Sequence, residues 1–207
     1  PSWGTLGGVA RKTRETMLAC AAAGFDVIVV ETLGTGQSET TVASMVDFFL
    51  VLLLAGAGDE LQGIKKGFLE LADGLAINKA DGDNRDRAAV TRKEYEAAFH
   101  LLRPSSPHWS PPVLLCSAKE GTGIEALWDM VLSHRERMSA CGALEQRRRS
   151  QSLDWMWSLV EEGLKDRFHR HPEVQRQLRQ LCGEVEAGRS TPVAAACHLL
   201  SLLDERY

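Results

Sequence analysis

The sequence predicts an α/β protein with a mostly parallel sheet, helices on both faces of that sheet, and an all-helical C-terminal arm. Short apolar runs alternate with longer stretches of helical periodicity, as expected when parallel strands are joined by helices. The run at residues 48–54 is apolar throughout, which indicates a parallel strand buried on both faces of the sheet. After residue 142 only helical periodicity remains. We therefore predict an α/β domain over residues 1–140 and a helical arm over residues 141–207.

Along residues 9–139 the predicted helices and strands largely alternate. Strands are expected at residues 27–30, 48–54, 75–77 and 113–116, and helices at residues 9–23, 61–71, 85–102 and 124–139. Two further helices are expected at residues 172–186 and from Thr191-Pro192, where a capping residue precedes proline at the first helical position. The arm also carries an apolar stripe at helical spacing, formed by Leu153, Met156, Trp157, Val160, Leu164 and Phe168. Such a stripe usually packs in a core, and a partner subunit could also cover it.

Composition narrows the class of protein. The net charge of −4 does not provide the basic surface that nucleic-acid binding normally requires. The apolar run at residues 48–57 is too short to span a bilayer, so no membrane partner is expected. Five scattered cysteines without a C-x-x-C motif favour reduced thiols over a disulfide framework or a zinc site. We expect a cytoplasmic protein, or a mitochondrial one if the source is eukaryotic.

Two short motifs follow predicted strands and would face the same crevice. The first is N-K-A-D at residues 78–81, and the second is S-A-K at residues 117–119. Ligands of open α/β sheets bind at the carboxyl ends of the strands, so both motifs are expected at one site. We therefore assign the binding of a nucleotide base to Asn78, Lys79, Asp81, Ser117, Ala118 and Lys119.

The chemistry of these residues suits guanine. An ionised Asp81 only accepts hydrogen bonds, which matches the adjacent ring N–H and exocyclic amine that guanine has and adenine lacks. Asn78 can hold the loop or reach the base, the stem of Lys79 can lie along the ring, and Ala118 N–H can donate to the guanine carbonyl. A site of this kind rejects analogues without the matching N–H by about 10⁴-fold or more. The alternative interpretation of N-K-A-D-G-D is a simple turn, because these residues are turn formers.

A third predicted strand end carries an acid followed by glycine. Glu31 follows residues 27–30, Gly34 comes three residues later, and Gln37 lies beyond it. Nucleotide hydrolases use a carboxylate at this position to hold Mg²⁺, usually through water, and a glycine to let a backbone N–H approach the terminal phosphate. We predict Glu31 as a metal ligand, Gly34 as a phosphate contact and Gln37 as a catalytic residue that orients water.

Taken in order, these motifs resemble the MeaB/ArgK family of GTPases. The stretches E-T-L-G-T-G-Q-S-E, G-D-E-L-Q-G-I-K-K-G and N-K-A-D-G-D begin at residues 31, 58 and 78, and the segments at 4–9 and 147–157 also fit. The resemblance implies a P-loop-GTPase-type fold that binds GTP or GDP with Mg²⁺. It further implies a chaperone that couples nucleotide state to adenosylcobalamin loading and protection of methylmalonyl-CoA mutase. A homodimer through the C-terminal helices is the expected assembly.

The glycine-containing segment at residues 56–67 corresponds to a third switch in that family. The resemblance implies that this switch responds to the mutase and contributes to hydrolysis. We expect Lys65 to stabilise the developing phosphoryl charge, since that charge calls for a cation. Asp59 and Gln62 are the predicted partner-dependent contacts. The alternative is that Lys65 and Lys66 are solvated residues on a helix surface.

One expected motif is missing from the sequence. The phosphate-binding string G-x-x-x-x-G-K-[ST] does not occur in the 207 residues. Because the chain starts at Pro1 and its first methionine is Met17, we expect a longer protein whose upstream part carries that loop. By itself the chain should bind GTP weakly and hydrolyse it negligibly. The alternatives are a metallochaperone-type GTPase, although Cys/His clusters are missing, a transport-system kinase, or a non-enzymatic dimerisation and partner-binding module.

Overall fold

A computed structural model describes residues 5–32, 38–54, 69–101 and 106–204 of the chain. Its internal contacts divide the chain into two units, Pro1–Gln151 and Ser152–Tyr207. The first unit contains the described sheet with its helices, whereas the described elements of the second unit are helical.

The sheet of the first unit is parallel. Its described strands are β1 (Leu50–Leu54), β2 (Gly74–Asn78) and β3 (Val113–Leu115), hydrogen-bonded in that order. Ile77 of β2 lies opposite Leu53 of β1 and Leu115 of β3. The described helices of this unit are α1 (Thr5–Ala22), α2 (Ser38–Ala43), α3 (Arg85–Leu101), α4 (Ile124–Ala140) and the start of α5 (Ala143–Arg170).

The central strand β2 forms the middle of the core. Leu75, Ala76 and Ile77 have no exposed surface. Leu75 and Ile77 pack in one cluster with Tyr95 of α3, whereas Ala76 packs in a second cluster with Met130 of α4. Successive side chains of a strand point to opposite faces, so an apolar strand of this kind requires a helix on each side. The predicted parallel sheet with helices on both faces is confirmed.

Two strand predictions differ from the structure. Residues 27–30 are not a strand, and the side chain of Val29 is 86% exposed. A strand needs a hydrogen-bonded neighbour, and none of the three described strands pairs with this segment. The strand predicted at 48–54 begins at Leu50, and it is not buried on both faces as predicted, since Leu52 is 62% exposed. The predicted helix at 61–71 lies almost wholly outside the described residues.

The second unit consists of the rest of α5 with α6 (Pro172–Glu186) and α7 (Pro192–Asp204). The bounds of α6 match the prediction. The cap predicted at Thr191 is present, because its Oγ1 accepts a hydrogen bond from Ala194 N at 3.2 Å. None of the helices in the described ranges has the length and apolar character needed to cross a membrane.

A buried charge network lies at the amino end of β2, at the opposite end of the strand from Asn78. The side chain of Asp73 is 3% exposed, and both of its carboxylate oxygens accept from Arg147 Nη1 at 3.0 Å. Asp73 also accepts from Phe49 N at 2.9 Å and, through its backbone carbonyl, from Trp109 Nε1 at 2.6 Å. The network fixes the start of α5 to the sheet.

His134 of α4 borders this network. Its ring is buried edge-to-face between Phe48 and Trp109, and its Nε2 lies 3.7 Å from Asp73 Oδ1 without a hydrogen-bond partner in the described part of the chain. Burial lowers the pKa of His134, the Asp73 carboxylate opposes that shift, and Arg147 adds to it. The imidazole is therefore neutral near pH 7.

Candidate functional site

The two predicted base motifs meet at the carboxyl end of the sheet. β2 ends at Asn78, β3 ends at Leu115, and the two parallel strands are direct neighbours. Their pairing extends beyond the strands, since Cys116 N donates to Ile77 O at 2.9 Å and Ala80 N donates to Cys116 O at 3.0 Å. The backbone thus brings residues 78–81 beside residues 117–119, as the sequence predicted.

Asn78 ties the two loops together. Its Oδ1 accepts from Lys79 N at 2.7 Å and from Ala118 N at 3.1 Å. Cys116 Sγ lies 3.8 Å from the same oxygen, and burial raises the pKa of this thiol, which keeps it protonated. In this structure Asn78 therefore holds the loop. The Ala118 N–H, predicted to serve a guanine carbonyl, donates to Asn78 instead.

Asp81 is oriented by Ser117. The Ser117 hydroxyl donates a hydrogen bond to Asp81 Oδ2, and its oxygen accepts from Glu120 N at 3.1 Å. Ser117 is fully buried and Asp81 is half-buried. A carboxylate has about four acceptor positions on two oxygens. Oδ1 has no hydrogen-bond donor in the described ranges, so one edge of the carboxylate stays available to a ligand.

The second loop depends on a glycine. Ser117 N donates to Thr122 O at 2.9 Å, which closes the loop in front of α4. Gly123 then adopts φ 75°, and a Cβ at this position would lie 2.3 Å from the carbonyl oxygen of Leu115. Both the left-handed backbone and the close approach exclude a larger residue.

Lys79 has an unusual backbone conformation. Its φ of 57° is the one positive value among the non-glycine residues that the structure describes. The carbonyl of Lys79 accepts from Asn84 Nδ2 at 2.9 Å. Next to Asn84, Arg85 Nη2 lies 3.2 Å from Glu120 Oε2. This ion pair joins the segment after β2 to the loop after β3. Neither Asn84 nor Arg85 was predicted as a site residue. The sequence feature that could have indicated Asn84 is its position at the end of a stretch of turn-forming residues.

Of the remaining predicted residues, one lies on the second loop, one lies elsewhere in the described part of the chain, and five lie outside the described ranges. Lys119 is exposed on the second loop, and Glu31 is exposed directly after residues 27–30. No group of three or more His, Cys, Asp or Glu residues in the described ranges could hold a metal ion, so the role of Glu31 stays a prediction. The predicted residues outside the described ranges are Gly34, Gln37, Asp59, Gln62 and Lys65.

Comparison with known proteins gives consistent results. A family model described as methylmalonyl Co-A mutase-associated GTPase MeaB matches residues 1–173. A relative from Caulobacter vibrioides is 53% identical over 201 residues, which cover 97% of this chain and 61% of the relative. GTPase ArgK of Escherichia coli is 43% identical over 207 residues, covering 100% of this chain and 62% of ArgK.

A mitochondrial relative and a solved structure also match nearly the whole chain. The mitochondrial methylmalonic aciduria type A homolog of Mus musculus is 42% identical over 207 residues, covering 100% of this chain and 50% of the homolog. A crystal structure of an LAO/AO transport system kinase superposes with a TM-score of 0.78 at 40% identity, covering 95% of this chain and 63% of that one. The chain thus spans between 50% and 63% of the length of these proteins. The predicted family and fold class are confirmed.

Proposed function

The chain belongs to the MeaB/ArgK family of GTPases, and from that premise we propose that its full-length protein binds guanine nucleotides, hydrolyses GTP and acts as a chaperone of methylmalonyl-CoA mutase. The observation that carries the nucleotide part is the convergence of Asn78, Asp81 and Ser117 at one end of the sheet. The mutase part is supported by the description of the family model. The coupling to adenosylcobalamin loading and protection rests on the resemblance of the switch motifs.

The proposed recognition of guanine uses the available edge of Asp81. Oδ1 would accept hydrogen bonds from the ring N–H and the exocyclic amine, while Ser117 keeps the carboxylate turned toward the base. The Nδ2 group of Asn78 donates no hydrogen bond to the described part of the chain, so it can serve the guanine carbonyl or ring nitrogen. The aliphatic stem of Lys79 is exposed beside them and can cover the ring.

The phosphate and metal contacts of the proposed activity are assigned from the sequence. GTP hydrolysis requires Mg²⁺, and the carboxylate of Glu31 is a ligand of the kind that this ion prefers. Gly34 would contact the terminal phosphate, Gln37 would orient water, and Lys65 would stabilise the transition-state charge. Asp59 and Gln62 would respond to the mutase.

A homodimer is proposed for the helical arm. Five apolar side chains on one face of α5 are 42% to 60% exposed, namely Leu153, Met156, Trp157, Val160 and Leu164. Their spacing of three or four residues produces one continuous stripe. A partner copy would remove this apolar area from water, and symmetric dimers are the commonest oligomers. We expect the assembled protein in the cytoplasm, or in mitochondria if the source is eukaryotic.

The decisive experiment is a phosphate-transfer assay on the full-length protein, with and without methylmalonyl-CoA mutase. We expect inorganic phosphate to be released from GTP, faster in the presence of the mutase, and no release from ATP. The transport-system kinase is the second candidate, because the chain is 40% identical to a crystal structure described as an LAO/AO transport system kinase. Transfer of labelled phosphate to a protein acceptor rather than to water would support the kinase and contradict the GTPase.

A further inference from the structure

We propose that Asn84 is a positioning residue that holds Lys79 in its left-handed conformation and thereby sets the affinity and selectivity of the base site. This inference rests on the proposed guanine-nucleotide function. It is carried by the hydrogen bond from Asn84 Nδ2 to the carbonyl of Lys79 at 2.9 Å. Asn84 does not belong to the base motif itself and would act through the backbone of Lys79 and Asp81.

The conformation of Lys79 has to be stabilised by its surroundings. A left-handed backbone at a residue with a Cβ costs about 1–2 kcal/mol. Lys79 is exposed, so its side chain gains little from packing. Both of its backbone polar groups are instead bound by amide side chains. Asn78 Oδ1 accepts from its N–H at 2.7 Å, and Asn84 Nδ2 donates to its carbonyl.

The same asparagine also closes the turn that carries Asp81. Asn84 N donates to Asp81 O at 3.0 Å, and Gly82 between them has φ 51°. Asn84 therefore contacts the backbone on both sides of Ala80. A change in the Lys79 conformation would rotate the peptide units that follow it. The Asp81 carboxylate would then move from the position that its hydrogen bond with Ser117 sets. The affinity for guanine should then fall together with the discrimination between bases.

The chemistry of this contact requires a donor. Asp has nearly the same shape as Asn, but its ionised carboxylate cannot donate to a carbonyl. The neighbouring link between the loops is weaker, because Arg85 and Glu120 have side chains that are 67% and 38% exposed. Exposed ion pairs contribute little to stability. Arg87→Ala, at an exposed residue of α3 three positions after Asn84, is therefore the matched control, because it leaves both the bond to Lys79 and the link between the loops in place.

The test measures the dissociation constants of the full-length protein for GDP and for inosine diphosphate, which lacks the exocyclic amine. Asn84→Asp and Asn84→Ala should each weaken GDP binding by about tenfold and reduce the preference for GDP over inosine diphosphate. Arg87→Ala should bind GDP within about twofold of the wild type. If wild type binds GDP and both Asn84 variants keep its affinity and preference, the inference is overturned. Failure of the wild-type protein to bind GDP would instead contradict the proposed function.

A double-mutant cycle separates positioning from general stability. Glycine adopts positive φ without a steric penalty, so Lys79→Gly should not need the bond from Asn84. We expect Asn84→Ala to weaken GDP binding by less than about threefold in the Lys79→Gly background, compared with about tenfold in the wild-type background. An equal loss in both backgrounds would show that Asn84 does not act through the Lys79 conformation. If Asn84→Asp fails to fold, Asn84→Ala carries the same comparison.

Discussion

Ser117 donates its hydroxyl hydrogen bond to the carboxylate of Asp81, although 36 residues separate the two in the chain. The donor is fully buried on the loop after β3, and the acceptor lies on the loop after β2. Because the hydroxyl also accepts from Glu120 N, it cannot rotate freely. The protein itself therefore fixes the direction of the carboxylate that is proposed to recognise guanine.

Removing this hydroxyl should weaken base recognition. Ser117→Ala leaves Asp81 without its donor, and a hydrogen bond to a charged group contributes about 1.5–3 kcal/mol. We expect the full-length protein to bind GDP about 10- to 100-fold more weakly, as measured by calorimetric titration. Ser110→Ala, at an exposed serine before β3, is the control and should bind like the wild type. GDP affinity within twofold of wild type in Ser117→Ala would contradict the positioning role.

Two adjacent arginines of α5 should differ sharply in their contribution to stability. Arg147 pairs with the buried Asp73, whereas Arg148 pairs with Asp47 through side chains that are 60% and 46% exposed. Arg147→Met leaves a buried carboxylate without its cation, and we expect a loss of about 3 kcal/mol in the free energy of unfolding. Arg148→Met should cost less than about 1 kcal/mol. Urea denaturation measures the free energy of unfolding of both variants. Equal losses would mean that the Asp73 network does not anchor the start of α5.

The buried His134 should make stability depend on pH. Its pKa is lowered in the folded protein, so the unfolded chain takes up this proton at a higher pH than the folded chain does. The free energy of unfolding should therefore decrease as the pH falls below about 6.5. The groups that act on the imidazole are Asp73, Asp47 and Arg147.

His134→Gln is the matched variant for this prediction, because it removes the titration. Its free energy of unfolding should vary less with pH between about 5 and 7 than that of the wild type. Arg148 lowers the pKa of Asp47, so that carboxylate loses its contribution only at more acidic pH and does not overlap with this window. The same pH dependence in both proteins would show that His134 is not responsible.

Much of the fold, and the loop pair of the proposed base site, could be predicted from the sequence. The apolar run at 75–77 locates the buried strand β2, and the turn formers after it locate its end at Asn78. α3 was predicted to within one residue and α6 to the residue. These elements are predictable because local hydrophobic periodicity and turn chemistry determine them.

The features that escaped prediction depend on contacts between distant parts of the chain. Residues 27–30 have the apolar composition of a strand, but a strand also needs a neighbour to pair with. Asp73 was not singled out in the sequence, because its buried carboxylate is paired with Arg147, which lies 74 residues away. Likewise, the role of Asn84 depends on the left-handed backbone of Lys79, which sequence spacing does not reveal.

The proposed switch lysine can be tested separately from nucleotide binding. Lys65→Ala in the full-length protein should leave GDP affinity nearly unchanged and lower the mutase-stimulated rate of GTP hydrolysis. A cation that reaches the site when a partner docks acts on the transition state, so kcat should fall more than KM changes. The loss should be about 10³-fold if Lys65 acts as an arginine finger does. Lys66→Ala is the control, and full stimulation in Lys65→Ala would show that Lys65 is only a solvated residue.

Asp81 is proposed to recognise the guanine edge, and calorimetric titration of the full-length protein with GDP, ADP and xanthosine diphosphate examines this role without an intermediate step. The wild type should bind GDP and show no measurable affinity for ADP, since adenine lacks the adjacent ring N–H and amine. Asp81→Asn should lose about 10²-fold or more in GDP affinity and gain affinity for xanthosine diphosphate, because the amide can donate where xanthine has a carbonyl. Comparable binding of GDP and ADP by the wild type would show that Asp81 does not recognise guanine.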